Sequence, residues 1–215
     1  MKSLKTLSFC TLIALTLVGC NTSINGPVVI GDGESRDGGV NSVNGSVTIG
    51  KGCSVGGNVN TVNGSVTVGD NSEVESLNAV NGAITAGNEV VILEDVESVN
   101  GAVRIGSGSE VRGQVLTVNG SIRLTETKVA ADVRTVNGDI ALLGGSVVSG
   151  DVVIEGKGNK SGEIAIYVEE GSVIEGDVVV KRNVDVKVYL RSGGAIRGQV
   201  DGAELIDENS EVAES

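Results

Sequence analysis

The stretch VNGAVRIGSGSEVRGQVLT, residues 99–117, is one complete unit of the repeat that determines the fold of this chain. Its first three residues, Val-Asn-Gly, occur seven times in register when one Ile variant is included. Successive copies are 19, 19, 18, 19, 19 and 18 residues apart, and they begin at Ile24, Val43, Val62, Val80, Val99, Val118 and Val136. A period this short and regular is the signature of a solenoid, in which each repeat forms one coil that packs against its neighbours.

The residues between the Val-Asn-Gly copies have the composition and alternation of short β-strands. Val, Ile and Thr dominate the repeats, whereas aromatic residues make up 1% of the chain. Within the unit, we predict that Val99, Val103 and Ile105 point inward and that Arg104 points outward. Three such stretches, separated by Gly-containing corners, describe a roughly triangular coil. We therefore predict an all-β chain that folds as a single-stranded parallel β-helix (a β-solenoid) with coils of 18–19 residues.

The repeat predicts one elongated domain with a regular and an irregular part. Residues 24–154 are expected to form seven regular coils. The fragment S-x-V-x-G-D-V at residues 146–152 recurs at residues 172–178 and, loosely, at residues 194–200. We therefore expect residues 155–200 to continue the stack as longer, irregular coils.

The N-terminal segment, MKSLKTLSFCTLIALTLVGC at residues 1–20, has the features of an export signal. Its apolar stretch of about a dozen residues is shorter than the roughly 20 needed to span a membrane. The ending Leu-Val-Gly-Cys resembles the lipobox of bacterial lipoproteins, whose cysteine is acylated and becomes the new N-terminus. The resemblance implies lipidation of Cys20 and a short tether at residues 21–23; the alternative is an ordinary secretory signal that ends in Cys. Asp after the cysteine tends to retain Gram-negative lipoproteins at the inner membrane, so Asn21 implies the outer membrane.

The mature chain is strongly acidic. Removal of residues 1–20 deletes two lysines and no acid, which changes the net charge from −12 to −14. This charge argues against binding of nucleic acid or anionic lipid by electrostatic attraction. Residues 201–215 contain six acids and no base, and we expect this tail to be disordered or to lie over the last coil.

The cysteines exclude a disulfide framework. Cys10 is removed with the signal and Cys20 is the lipidation site, so Cys53 remains alone. The chain contains no His that could act as its base. A structural thiol is therefore favoured over a nucleophile at Cys53.

One Asn occupies the same position in every repeat. Asn-Gly suits turn positions with positive φ, and stacked side-chain amides can also hydrogen-bond to one another as an asparagine ladder. A ligand-binding surface is the functional alternative, and we favour the structural ladder. Its members are Asn25, Asn44, Asn63, Asn81, Asn100, Asn119 and Asn137.

Several coil motifs resemble those of bactofilins, which are bacterial polymer-forming cytoskeletal proteins. The motifs are GSVTIG (45–50), GSEVRGQV (108–115), GSVVSGDV (145–152) and GSVIEGDVVV (171–180). The resemblance spans residues 24–200 and implies a right-handed triangular β-helix and, as an alternative function, self-assembly into a polymer. Unlike typical bactofilins, this chain has a lipoprotein signal and a strict Val-Asn-Gly ladder.

The sequence contains no motif that indicates catalysis or a cofactor. A phosphate loop, zinc spacing and a Ser-His-Asp set are all missing, so we predict no catalytic residues, no metal and no cofactor. Some β-helices cleave acidic polysaccharides with clustered Asp, Arg and Lys, which leaves a polysaccharide-acting enzyme as a weak alternative.

The repeats also place polar side chains in columns on the outside of the coil. Two of these columns are short: one consists of Thr48, Thr67 and Thr85, and the other of Arg104 and Arg123. A longer polar column comprises Asn58, Asp95, Gln114, Asp132, Asp151, Asp177 and Gln199; Asp132 and Asp151 would repel each other unless a cation or a base screens them.

These observations favour a non-enzymatic, lipid-anchored protein of the cell envelope that acts as a rigid structural or scaffolding β-solenoid. A surface adhesin or binding module is the second class, with recognition in loops 155–163 and 181–192. The bactofilin-like polymer is the third. The expected partner is the membrane, through the N-terminal lipid, together with an envelope protein or limited self-association and no nucleic acid.

Overall fold

The computed structural model describes residues 21–155, 163–181 and 184–209. In these residues the chain is all-β: three parallel sheets wind through about nine turns of a β-solenoid, with essentially no helix. The predicted fold class is therefore confirmed. Each turn contributes one strand to each sheet, so a strand pairs with its equivalents in the turns before and after it.

The three sheets contain 29 short strands within the described residues. The first sheet consists of β1 (Asn21–Ser23), β4 (Val40–Ser42), β7 (Val59–Thr61), β10 (Leu77–Ala79), β13 (Val96–Ser98), β16 (Val115–Asn119), β19 (Val133–Asn137), β22 (Val152–Ile154), β25 (Val178–Val180) and β28 (Val200–Asp201). The second consists of β2 (Val28–Ile30), β5 (Val47–Ile49), β8 (Val66–Val68), β11 (Ile84–Ala86), β14 (Val103–Ile105), β17 (Ile122–Thr125), β20 (Ile140–Leu143), β23 (Ile164–Val168), β26 (Val186–Leu190) and β29 (Glu204–Asp207). The third consists of β3 (Ser35–Arg36), β6 (Ser54–Val55), β9 (Glu73–Val74), β12 (Val91–Ile92), β15 (Glu110–Val111), β18 (Lys128–Val129), β21 (Val147–Val148), β24 (Val173–Ile174) and β27 (Ala195–Ile196).

The interior is a column of small branched side chains. Val103 and Ile105 are buried and Arg104 between them is exposed, as the alternation predicts. Val99 differs from the prediction, because it is half-exposed at a corner while the preceding Ser98 is fully buried. The inward prediction for Val99 is wrong because the corner interior holds a small hydroxyl side chain that can donate to a backbone carbonyl.

The stack extends beyond the predicted coils at both ends. Asn21–Ser23, expected as a tether, forms β1 and pairs in register with Val40–Ser42. At the other end, Glu204–Asp207 forms β29 and pairs with β26, so the first residues of the acidic tail add a strand. Leu205 is in register with the inward-facing Val188, but 48% of its surface is exposed because no further described coil covers it. Residues 210–215 lie outside the described residues.

The longer coils stay in register with the regular ones. Val147 pairs with Val173, which pairs with Ala195, although these positions are 26 and 22 residues apart. The extra residues fall in connections between strands. Insertions are therefore accommodated at corners and leave the sheet ladders unchanged.

Candidate functional surfaces

The repeated asparagines form a continuous hydrogen-bonded column along one corner of the solenoid. The side-chain amide of each donates from Nδ2 to Oδ1 of the asparagine one coil earlier. Asn100, for example, donates to Asn81 over 2.9 Å and accepts from Asn119 over 2.9 Å. The other bonds run from Asn44 to Asn25, Asn63 to Asn44, Asn81 to Asn63 and Asn137 to Asn119, at 2.9–3.0 Å. Because these bonds are solvent-exposed, each is worth less than a buried one.

From Gly45 onward, the glycine after each ladder asparagine is required by close stacking and not by positive φ. Neither Asn100 nor Gly101 has a positive φ. A Cβ on Gly101 would lie 2.0 Å from the carbonyl oxygen of Gly82, directly below it. Most residues with positive φ, among them Gly52, Asn71 and Gly108, lie at a different corner, whereas Gly202 lies at the corresponding corner of the last coil. Asn-Gly therefore marks a corner where the backbones of successive coils approach closely.

Buried hydroxyls satisfy the carbonyls at the same corner. Ser98 Oγ donates to the Gly82 carbonyl over 3.2 Å, and Thr117 Oγ1 donates to the Gly101 carbonyl over 3.1 Å. Thr61 makes the equivalent bond to Gly45 over 3.0 Å. Each of these hydroxyls bonds to the coil one turn earlier, so they link the coils at these positions. The column is interrupted at Ala79, which has no hydroxyl, and at Thr135, whose buried Oγ1 has no hydrogen-bond partner among the described residues.

A second asparagine ladder lies on the outer face of the first sheet, and the sequence analysis did not identify it. Asn60 donates to Asn41 over 2.8 Å, and Asn78 donates to Asn60 over 3.0 Å. The next position in register is Glu97, whose ionised carboxylate has no proton to donate to Asn78. Burial, and to a lesser degree the neighbouring charge of Asp95, raises the pKa of Glu97.

The carboxylates of the polar column, which could have held a cation, accept hydrogen bonds from the backbone of the next coil. Asp132 Oδ1 accepts the backbone N–H of Asp151 over 2.9 Å, and Asp151 Oδ1 accepts that of Asp177 over 2.9 Å. Asp95 and Asp177 do the same for Gln114 and Gln199. Each carboxylate thus satisfies a corner N–H in the next coil. No group of three or more His, Cys, Asp or Glu side chains in the described parts of the chain is arranged to hold a metal ion.

A nearby base provides the screening that Asp132 needs. The Arg134 guanidinium lies 2.7 Å from Asp132 Oδ2 and 2.7 Å from Glu155 Oε1. Burial raises the pKa of Asp132, but hydrogen bonds from Arg134 and from the Asp151 N–H outweigh it and hold the pKa below its usual value. Lys181 also pairs with Glu155, over 3.0 Å, so this network connects three successive coils.

Cys53 occupies a column that is otherwise filled mainly by hydroxyl side chains. Its buried Sγ lies 3.0 Å from the Gly31 carbonyl oxygen, and its backbone N–H donates to Ser72 Oγ over 3.1 Å. Ser72 and Ser109 make the equivalent bonds to the carbonyls of Gly50 and Gly87. The thiol therefore stands in place of a corner serine.

The only two tyrosines meet on the outer face of the second sheet. Tyr167 and Tyr189 are direct ladder partners, and their rings stack with centroids 5.2 Å apart and planes 15° apart. Arg191 lies 4.9 Å from the Tyr189 centroid and 5.6 Å from that of Tyr167, and it also pairs with Glu208 over 2.7 Å. This ion pair raises the pKa of Arg191 and lowers that of Glu208. The 22-residue spacing of the tyrosines is the sequence signal that could have identified this pair.

Several predicted features lie outside the described residues. They are the signal segment with Cys20, residues 156–162 of the first candidate loop, and residues 182 and 183 of the second. In the parts of the chain that are described, no helix has the length and apolar character needed to cross a membrane.

The described surfaces are thus straight columns of side chains, one residue per coil. Most of their polar groups bond to the coil before or after. Comparison with known proteins gives no match: no family model, no curated protein and no solved structure is significantly similar to this chain.

Proposed function

We propose that this protein is a non-enzymatic lipoprotein of the cell envelope, in which lipidated Cys20 holds a rigid β-solenoid at the outer membrane. The solenoid acts as a structural spacer or scaffold. The observation that carries the proposal is the unbroken register of about nine turns, in which every coil is bonded to the next by backbone and side-chain ladders.

Three kinds of bond between coils support rigidity. The backbone ladders run through all three sheets, the outer asparagines link seven coils, and the inner hydroxyls link the corner carbonyls. Ten strands in a sheet are separated by nine intervals of about 4.8 Å, which gives a rod of about 43 Å. A structure whose surface groups mostly bond to one another is suited to holding a fixed distance.

The position of Cys20 supports the anchor. Cys20 immediately precedes β1, so a lipid attached there brings the first coil directly to the bilayer surface. The first coil also differs from the others. Pro27 lacks a backbone N–H, and Arg36 takes the inward register position that Val55 and Val74 occupy in later coils. A charged side chain at this end of the core disfavours stacking of a second copy there.

The anchor is tested by labelling with a radioactive fatty acid in Gram-negative cells, followed by membrane fractionation. Cys20→Ala should lose the label and should leave the outer-membrane fraction. Cys53→Ala is the matched control and should keep both properties, because its thiol lies inside the coil. Retention of Cys20→Ala in the membrane fraction would contradict the proposed anchor.

A further inference from the structure

One outward-facing column on the second sheet carries a surface that the spacer function does not use. Between Val29 in the first coil and Ile206 in the last, its members are direct ladder partners from coil to coil: Thr48, Thr67, Thr85, Arg104, Arg123, Ala141, Tyr167 and Tyr189. The column changes from hydroxyls to cations, then to a methyl group, and then to aromatic rings. All of these side chains therefore lie along one straight line on one face of the rod.

Arg104 and Arg123 are adjacent cations without an internal counter-ion. Both are exposed, and neither forms an ion pair or donates a hydrogen bond within the described part of the chain. By contrast, seven other basic residues pair with acids: Lys51, Arg112, Arg134, Lys181, Lys187, Arg191 and Arg197. Like charges at directly opposed ladder positions repel each other. In a chain with 28 acids, this pair is available to an external anion.

The positions beside the two arginines carry mainly small side chains. Thr85 and Ala141 flank the pair along the column, and Ala102 and Ser121 lie two residues before the arginines, just ahead of β14 and β17. Asp139, two residues before Ala141, is an acidic neighbour whose Oδ1 accepts the backbone N–H of Ala165 over 3.0 Å. None of these positions carries a bulky side chain that would block the guanidinium groups.

Ala141 makes a notch between Arg123 and Tyr167. The positions of Arg123 and Tyr167 are two coil intervals apart, about 9–10 Å, and a single methyl group occupies the position between them. Tyr189 stacks on one face of the Tyr167 ring, so the opposite face is turned toward the notch. The notch is thus bounded by the Tyr167 ring on one side and the Arg123 guanidinium on the other, with the Ala141 methyl group at its base.

We propose that Arg104, Arg123 and Tyr167 bind a carboxylate-bearing sugar of an acidic glycan. The apolar face of one uronic-acid ring lies against Tyr167 above Ala141, and its carboxylate takes a bidentate contact from Arg123. Arg104 then meets the carboxylate of the next sugar along the column, and the Thr85 hydroxyl is in line for the sugar after it. The straight column matches an extended chain better than a compact ligand.

The negative charge of the whole protein restricts the kinds of anionic partner that can bind. At −14 after loss of residues 1–20, the chain repels densely charged polymers and anionic membranes at long range. A uronate chain has only one charge per sugar, and short-range contacts with two arginines and an aromatic ring can hold it. Polyphosphate has no sugar ring to stack in the notch, and duplex DNA carries about one charge per 1.7 Å of helix axis, which the acidic chain repels more strongly.

The binding test uses the purified mature lipoprotein in detergent and a tetramer of galacturonic acid as the probe. Tyr167 and Tyr189 are the only aromatic residues after residue 20, so tyrosine fluorescence reports directly on this site, and calorimetry gives the affinity. We expect saturable binding with a change in tyrosine emission. Arg104→Gln and Arg123→Gln should each weaken binding at least tenfold, and Tyr167→Ala should weaken it further than Tyr167→Phe.

Controls separate this site from general attraction of anions. Arg112→Gln, on the third sheet, should bind the tetramer as the unmodified protein does. The neutral methyl ester of the tetramer, polyphosphate and phosphatidylglycerol vesicles should not bind. No saturable binding at millimolar tetramer would overturn the proposal, as would full affinity in an Arg104→Gln, Arg123→Gln double variant with an unchanged circular dichroism spectrum. Equal binding of polyphosphate would also overturn it. The spacer function would remain in each case, because it does not depend on this face.

Discussion

Asn100 donates a 2.9 Å hydrogen bond from its side-chain amide to Oδ1 of Asn81, one coil earlier, and accepts one of the same length from Asn119. Asn25, at the start of the same column, accepts from Asn44 and has no earlier member of the repeat below it. The two positions have the same chemistry but different numbers of ladder neighbours. Their comparison isolates what the ladder contributes to stability.

We expect Asn100→Ala to lower the free energy of unfolding by about 1–2 kcal/mol, since two exposed hydrogen bonds are lost. Asn25→Ala should cost about 0.5 kcal/mol, because one is lost. Urea denaturation followed by circular dichroism measures both. Equal and negligible losses at the two positions would show that the column does not support the fold and would favour a role in recognition.

Gly101→Ala should be far more damaging than its size suggests. The added Cβ would lie 2.0 Å from the Gly82 carbonyl oxygen. Neither residue can move away easily, because neighbouring coils hold the backbone of both. We expect a loss of about 3 kcal/mol or more, through distortion of the stack. Gly38→Ala is the control, because its Cβ would meet nothing within 4 Å. Similar melting temperatures for the two variants would contradict the close approach at this corner.

The pKa of Glu97 predicts a stabilising substitution with a defined pH dependence. Burial raises this pKa in the folded protein, so the folded state binds the proton more tightly than the unfolded chain. The ionised carboxylate therefore disfavours the folded state above the folded pKa, and this effect disappears below the unfolded value of 4.5.

Glu97→Gln should consequently be more stable than the unmodified protein at pH 7, and the difference should vanish as the pH falls toward 4. Gln at this position also supplies the donor that Asn78 lacks from the next coil. Thermal melts from pH 4 to 8 measure the difference. Glu110→Gln, which removes an exposed ion pair with Arg112, should give no gain. A constant difference between Glu97→Gln and the unmodified protein at every pH would rule out titration as the cause.

Cys53→Ser should be tolerated, with a change in the free energy of unfolding within about 1 kcal/mol. A serine hydroxyl can make the bond to the Gly31 carbonyl that Ser72 and Ser109 make to their own glycines. Cys53→Ala leaves that carbonyl without its side-chain partner and should be the less stable of the two. If Cys53→Ser proves the more damaging variant in denaturant melts, the thiol has a role beyond the ladder.

The sequence was sufficient for the architecture because the period fixes the coil. A spacing of 18–19 residues and the alternation around Arg104 leave few other ways to bury Val103 and Ile105. The corners were harder to predict. Val99 and Ser98 are adjacent, and hydrophobicity alone places the valine inside, whereas the carbonyl of Gly82 needs the hydroxyl.

Contacts between residues in different coils were the second feature that was hard to predict from the sequence. Asn41, Asn60 and Asn78 each lie three residues before a Val-Asn-Gly asparagine, so the repeat spacing was the sequence signal for this ladder. Arg123, Ala141 and Tyr167 were harder to align, since the spacing changes from 18 to 26 residues where the irregular coils begin. The acidic segment after Asp201 was expected to be disordered or to lie over the last coil, and its residues Glu204–Asp207 add a strand to the end of the second sheet.

We propose that the protein is a single rigid rod and not a subunit of a filament. Small-angle X-ray scattering of the mature chain without its lipid, over a range of concentrations near physiological salt, distinguishes these two states. We predict the mass of one mature chain, the 196 residues from Cys20 to Ser215, and an elongated particle whose stacked strands span about 43 Å at every concentration. A mass that grows with concentration, together with regular filaments in electron micrographs, would contradict the account and make a self-assembling polymer the leading function.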